Sequence, residues 1–228
     1  MRHTRAVGIL AAALLVVSGV AAAQASAIEF LWKVNGKTLE TGQEKTLTSK
    51  AKGSQILKAS VIGVKSEITC TEVSTSGAKI KGGKPGTSTE TVEYKGCTVQ
   101  KPSGCKVAGG AITTKPLTDE LVEGLGSSAG KVLILFKPAS GETFAEPKLE
   151  GGLLCLSIAV DGSVLAEANP QKSEAETGTL KFEPANGKEY KSSAGETKSA
   201  GLTVAGSAST VSGEIETKLS PAEKFGAF

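Results

Sequence analysis

The sequence predicts an all-β chain, folded as an antiparallel β-sandwich or β-barrel in a single disulfide-braced domain. Three observations predict it. Short runs that alternate apolar and polar residues recur along the chain, with clusters of Gly, Pro, Asn and Ser between them. No strand–helix–strand rhythm appears that would build a parallel sheet. Four cysteines, Cys70, Cys97, Cys105 and Cys155, supply the bracing in a chain that opens like an exported one.

Residues 1–27 read as a signal peptide. Met1-Arg2-His3-Thr4-Arg5 is a positive n-region, and Ala6 to Val20 is apolar but shorter than a membrane-spanning helix needs. Ala25-Ser26-Ala27 fits the small-residue cleavage pattern and starts the mature chain at Ile28; Ala23-Gln24-Ala25 is the alternative site. No later stretch reaches about 18 apolar residues. The expectation is a soluble β-domain over 28–228, secreted or held at the cell envelope, with no transmembrane segment after cleavage.

Along that domain, Phe30, Trp32 and Val34 share one face and run into Asn35-Gly36, the strongest short hairpin signal in the chain. Thr46 to Ser49 follows. Val64, Ser66, Ile68 and Cys70 alternate with Lys65, Glu67 and Thr69, so this strand is half-buried and turns its cysteine inward. Gly82-Gly83-Lys84-Pro85-Gly86 is a loop, and Val92 and Tyr94 mark the strand that leads to Cys97. Leu117 to Leu121 is the only candidate for a short helix. Lys131 to Lys137 is apolar on both faces, which predicts a central strand, and Leu153 to Val160 reads the same way. These two runs are the predicted core. Leu180 and Phe182, Leu202 and Val204, and Val211 and Ile215 supply later strands, while 169–178 and 188–201 are polar and read as loops or an exposed hairpin. A second small domain after residue 168 is the alternative division.

Spacing leaves three connectivities open for the four cysteines. Cys97 and Cys105 flank the turn-like Lys101-Pro102-Ser103-Gly104, which favours a Cys97–Cys105 hairpin bridge and leaves Cys70 to Cys155. A zinc or redox site is disfavoured by the lack of a C-x-x-C pair and of histidine beyond the signal, so neither metal nor cofactor is predicted.

Composition narrows the function further. Past residue 27 the chain has no histidine, arginine or methionine; every basic residue is lysine, and of the 23 acidic residues only Asp119 and Asp161 are aspartate. Singly scattered Lys and Glu in near balance describe a solvated surface, not a nucleic-acid patch, and base or phosphate recognition without arginine is disfavoured. Gly126-Ser127-Ser128-Ala129-Gly130 matches the G-x-S-x-G nucleophile turn, but no histidine is present to serve as its base. Ser103-Gly104-Cys105-Lys106 matches S-x-x-K without the helix and partner motifs that give it meaning. Glutamates such as Glu67, Glu93 and Glu150 are candidates for paired carboxylates, and no spacing singles out a pair. Trp32 reads as core rather than as a ligand platform.

Trp32-Lys33-Val34-Asn35-Gly36, Ile68-Thr69-Cys70-Thr71, Gly82-Gly83-Lys84-Pro85-Gly86-Thr87, Gly96-Cys97-Thr98-Val99, Cys105-Lys106-Val107 and the ending Lys224-Phe225-Gly226 together resemble a family of uncharacterised secreted proteins of high-GC actinobacteria. The resemblance spans most of the mature chain. It implies export and a shared four-cysteine pattern, and no activity or ligand. The functional expectation is a non-catalytic extracellular or cell-envelope binding or structural domain, with wall polymer or another envelope protein as partner. The alternative is a histidine-free hydrolase that uses carboxylates or a Ser/Lys pair.

Overall fold

The computed structural model describes residues 28–228 apart from Ile62, Leu154, Leu156 and Ala185. The signal peptide expected over 1–27 lies outside the described residues. Eight strands form the frame: β1 (Glu44–Ala51), β2 (Glu72–Lys81), β3 (Thr87–Lys95), β4 (Leu117–Gly124), β5 (Val132–Pro138), β6 (Val164–Asn169), β7 (Gly178–Phe182) and β8 (Ser207–Ser220). Each pairs antiparallel with the next, and β8 returns to pair with β1. The result is a closed up-and-down barrel, which decides between the two predicted architectures.

Period-two alternation then assigns every side chain to the inside or the outside. Ile80, Val92, Leu121, Ile134, Phe136 and Ile215 point inward and are buried. The outer faces carry cross-strand lysine–glutamate pairs, such as Lys50–Glu216 at 3.1 Å and Lys131–Glu167 at 2.7 Å, each worth little on an exposed surface. This is the solvated Lys/Glu surface read from the composition.

Strand β5 is apolar on both faces for a specific reason. Val132, Ile134 and Phe136 belong to the barrel core, whereas Leu133 and Leu135 form a second cluster outside it with Val122, Leu165, Tyr190 and Ala200. Tyr190 and Ala200 come from a hairpin, Lys188–Lys191 with Thr197–Ala200, that pairs with the end of β4. The polar segment read as a loop or exposed hairpin is therefore a hairpin that covers β5 from outside. The chain beyond residue 168 supplies β7 and β8, so it is part of the same barrel and not a second domain.

The two ends of the barrel differ. One receives only the short connections 82–86, 125–131 and 170–177, together with both ends of the described chain. There Trp32–Val34 pairs with Lys37–Thr38 and with Phe225–Ala227, and this small sheet stops the barrel like a plug. Asn35 and Gly36 adopt positive φ in the predicted hairpin turn. Trp32 is 4% exposed, and its indole nitrogen donates to the Thr87 carbonyl at 3.1 Å. A β-carbon on Gly86 would stand 2.7 Å from the indole ring, so only glycine lets the loop close over it.

The other end receives all four long connections, 52–71, 96–116, 139–163 and 183–206. Apart from the hairpin 188–200, which runs outside the wall to the far end of β4, they form a second β-layer, the cap. The hairpin Gln55–Val61/Val64–Cys70 carries Thr98–Lys101 on one side and residues 210–212 of β8 on the other. Thr143–Ala145, Val160–Gly162 and Leu202–Val204 pair in series beside it. Strand β8 serves both layers and switches between them at Gly213, where φ is +148° and a β-carbon would lie 2.2 Å from Gln55 Oε1. Gln55 is 3% exposed and ties the junction by donating to the Gly53 and Glu214 carbonyls.

Three expectations are corrected. Residues 117–121 are not a helix but the start of β4, because their pairing with β3 and β5 outweighs the helical reading of Leu117 and Leu121. Residues 153–160 are not a core strand: only Val160–Gly162 is extended in a sheet, Leu153 is 99% exposed, and Ile158 and Val160 alone of the described apolar residues in the run are buried. The disulfides are Cys70–Cys97 and Cys105–Cys155, not Cys97–Cys105 and Cys70–Cys155. The physical reason is register. Glu72 lies opposite Lys95 and Thr69 opposite Thr98, which sets Cys70 against Cys97 with Cα atoms 4.0 Å apart. Likewise Glu150 opposite Lys106 brings the chain leading to Cys155 beside Cys105.

Peptide mapping without reduction should recover Cys70 linked to Cys97 and Cys105 linked to Cys155; recovery of a 97–105 peptide would contradict the register. Gly213→Ala should destabilise the fold by about 1–3 kcal/mol in urea denaturation, since alanine meets both an unfavourable φ and the Gln55 side chain.

Candidate functional site

Inside the barrel the alternation places two carboxyls together. Glu90 on β3 pairs with Leu117, and Ser88 pairs with Asp119 on β4, so Glu90 and Asp119 are diagonal neighbours on the inner face. Asp119 is fully buried; its Oδ2 accepts from the Ser88 hydroxyl at 3.0 Å and its Oδ1 has no hydrogen-bond partner among the described residues. Burial pushes the Glu90 carboxyl up from 4.5 to about 7. Asp119 is held well above its usual range by burial first and by the charge of Glu90 second, against weaker opposing effects of Ser88 and Lys137. Burial, with the Glu90 charge, also raises the Tyr94 phenol, which follows Glu90 and Val92 on the inner face of β3.

A pair of acids in a barrel invites the hydrolase reading, and the geometry answers it. The open space beside Glu90 and Ser88 is about 30 Å³, between Trp32 and Phe225 of the plug and Ile134 and Phe136 of β5. That is room for a water or two, not for a sugar ring or a peptide. Glu67, Glu93 and Glu150, the glutamates singled out in the sequence, are not brought together: Glu67 pairs with Lys58, Glu93 lies beside Lys95, and Glu150 sits in the short strand opposite Lys106. Ser128 is buried in the turn between β4 and β5, which is followed by a strand and not by the helix of a nucleophile elbow. Ser103 lies in the link between the strands Thr98–Lys101 and Lys106–Val107, and Lys106 opens the second of them, again off any helix. Among the described residues no group of three or more His, Cys, Asp or Glu side chains gathers as a metal site.

The capped end offers a different surface. An apolar pocket of about 50 Å³ lies between the cap and the barrel mouth, walled by Leu57, Ile68, Ile112, Phe144, Val160 and Val211. Beside it, an open groove of about 330 Å³ runs past Thr113, Thr114, Lys115, Glu146 and Lys148, and Ile112 belongs to both. Thr114 anchors this wall to β3 by exchanging hydrogen bonds with the Val92 backbone, and the Lys115 backbone N–H donates to the Phe144 carbonyl. Both disulfides lie in the same cap. The sequence marks Ile68, Cys70, Tyr94 and Val211 as strand residues and Asp119 as one of two aspartates, but it joins none of them into a site: Glu90 and Asp119 share no spacing along the chain, and the pocket is assembled from stretches scattered between residues 55 and 211.

No protein-family model, curated protein or solved structure matches this chain. Among the described residues no helix is long and apolar enough to cross a membrane.

The raised Glu90 carboxyl makes stability depend on pH with a definite sign. The folded chain keeps this proton between pH 4.5 and about 7, where the unfolded chain has released it. The stabilisation is therefore complete below the unfolded value and is lost as pH rises through about 7. Melting temperatures of the wild type should fall across that window. Glu90→Gln should flatten the fall and gain on the order of 1–3 kcal/mol relative to wild type at alkaline pH; equal slopes for the two proteins would refute the assignment.

Proposed function

We propose that this chain is an exported, non-catalytic binding domain of the resembling actinobacterial family, acting outside the cytoplasm through the capped end of its barrel. One observation carries the reading. The topology sends all four long connections and both disulfides to a single end, while the plug stops the other. Long connections held by a rigid scaffold are where binding surfaces form. Disulfides persist in oxidising compartments outside the cytoplasm, which agrees with the signal-like start of the sequence. The inner acids bind protons rather than take part in turnover, because the space beside them admits no substrate larger than water.

The partner under this reading is an envelope component, wall polymer or another envelope protein. Sedimentation of the purified protein with isolated envelope of a high-GC actinobacterium, at low and at high salt, tests it. Retention at high salt is expected, because contacts made by shape and apolar burial survive screening that removes surface charge attraction. Loss of sedimentation at both salts would reject the envelope as partner, and loss only at high salt would reduce the interaction to non-specific charge.

A further inference from the structure

The pocket and the groove at the capped end meet at Ile112 and are opposite in chemistry. The pocket is lined almost wholly by hydrocarbon. Its polar lining residues are Gln55, whose amide nitrogen is committed to the Gly53 and Glu214 carbonyls, and Tyr94, whose ring packs against the barrel core. An amide or hydroxyl drawn into this pocket would lose more water partners than one phenol replaces, which disfavours peptide backbone and sugar as occupants. Size excludes more. At about 50 Å³ the space is well below the roughly 150 Å³ apolar cavity that accepts a benzene ring. An unbranched alkyl end fits where a ring does not.

The groove supplies the complementary half. Lys115 donates to Glu146 at 2.8 Å, and Lys148 stands exposed two residues on with no ion pair among the described residues. Two ammonium groups against one carboxylate leave the groove positive. The flanking Thr113 and Thr114 add polar lining, and the strand 143–145 with the residues after it sorts the two chemistries: Phe144, Ala145 and Pro147 face the pocket, Glu146 and Lys148 the groove.

We propose that this composite site binds a single-chain anionic amphiphile, its alkyl end in the apolar pocket and its carboxylate or phosphate head against Lys148 and Lys115 in the groove. The proposal rests on the reading of the capped end as the binding surface and names its ligand chemistry. No bond is made or broken. The ligand comes either as a free monomer or as a lipid in a bilayer, and the two sources separate by experiment.

The purified protein is titrated with carboxyl-¹³C dodecanoate below its micelle concentration and followed by NMR. Saturable one-to-one binding is expected, with dodecyltrimethylammonium, which has the same tail and the opposite charge, at least about tenfold weaker. Lys148→Glu, on an exposed side chain that the fold does not use, should weaken dodecanoate by about tenfold. Ala145→Leu, which fills the pocket, should weaken both amphiphiles alike, with its melting temperature confirming that it folds. Flotation with vesicles of neutral and of anionic lipid forms the last arm. Binding to anionic vesicles together with monomeric dodecanoate identifies a lipid source, and dodecanoate binding alone a free monomer. Absence of saturable dodecanoate binding, equal affinity for the two head charges, or an unchanged Lys148→Glu variant would each overturn the proposal. Envelope retention that persists in a protein that binds no dodecanoate would sink this inference and leave the binding-domain reading standing; dodecanoate binding without envelope retention would reject the envelope as partner and leave this inference standing.

Discussion

Pairing of β8 with β1, from Ile215 opposite Ala51 to Ser220 opposite Thr46, joins the two ends of the chain and turns a meander into a ring. The other features follow from that contact. A closed ring has no edge strands, so the backbone groups of the barrel are paired without any second sheet. It also divides every alternating strand into an inner and an outer face, and this division is what makes Glu90 and Asp119 interior residues. Closure couples residues far apart in sequence, which places this fold among the slower-folding topologies. It also explains why Gly213 sits where it does: the strand that closes the ring must bend away immediately above it to enter the cap.

An eight-stranded barrel is just wide enough to be filled by its own side chains. Here the filling is uneven. Ile134, Phe136 and Phe182 crowd one side, with the two phenylalanine rings 5.5 Å apart, while Ala166, Ala168 and Gly178 line β6 and the start of β7. Two carboxyls occupy the adjoining strands β3 and β4, Asp119 directly across from Phe136, with the Ser88 hydroxyl donating to Asp119. Such a pair is tolerable only when at least one member is protonated, because like charges on diagonal positions, Asp119 fully buried and Glu90 half-buried, repel strongly in a poorly polarisable interior. The interior is thus less stable than an apolar filling would make it, a local conflict of the kind that natural folds accept where chemistry is useful.

The cap solves a separate problem. Four long connections would otherwise leave many backbone groups unpaired over the barrel mouth, and they pair instead with one another. The two disulfides divide this task. Cys70–Cys97 closes the junction where the chain leaves the cap for β2 and leaves β3 for the cap, and Cys105–Cys155 reinforces two connections that also meet in the short pairing of Lys106–Val107 with Leu149–Glu150 and in the Thr114–Ala145 bridge. With separations of 27 and 50 residues, each removes about 3–4 kcal/mol of chain entropy from the unfolded state. A rigid cap of this kind keeps the apolar pocket and the lysine groove in fixed relation, which a flexible loop cluster would not.

Much of the strand content was legible in the sequence because period-two alternation is a local property. Val64–Cys70, the Asn35-Gly36 hairpin, the buried Trp32 and the two-faced β5 all follow from neighbours in the chain. The failures share one cause, which is that they depend on what lies opposite. Leu117 to Leu121 looks helical until β3 and β5 flank it, and Leu153 looks like core until the Cys105–Cys155 loop carries it into solvent. A Cys97–Cys105 bridge looks natural until register sets Cys70 against Cys97. The candidate sites were invisible for the same reason, since Glu90 meets Asp119 only across paired strands and the cap pocket draws Leu57, Ile112, Phe144 and Val211 from distant segments. By itself the sequence determined the class of fold, the alternation that sorts inside from outside, and the lack of a histidine base or an arginine patch past residue 27. Tertiary structure alone decided closure over stacking, the partners of the cysteines and the meeting of acids inside the barrel, because each is a relation between residues that only long-range pairing brings face to face.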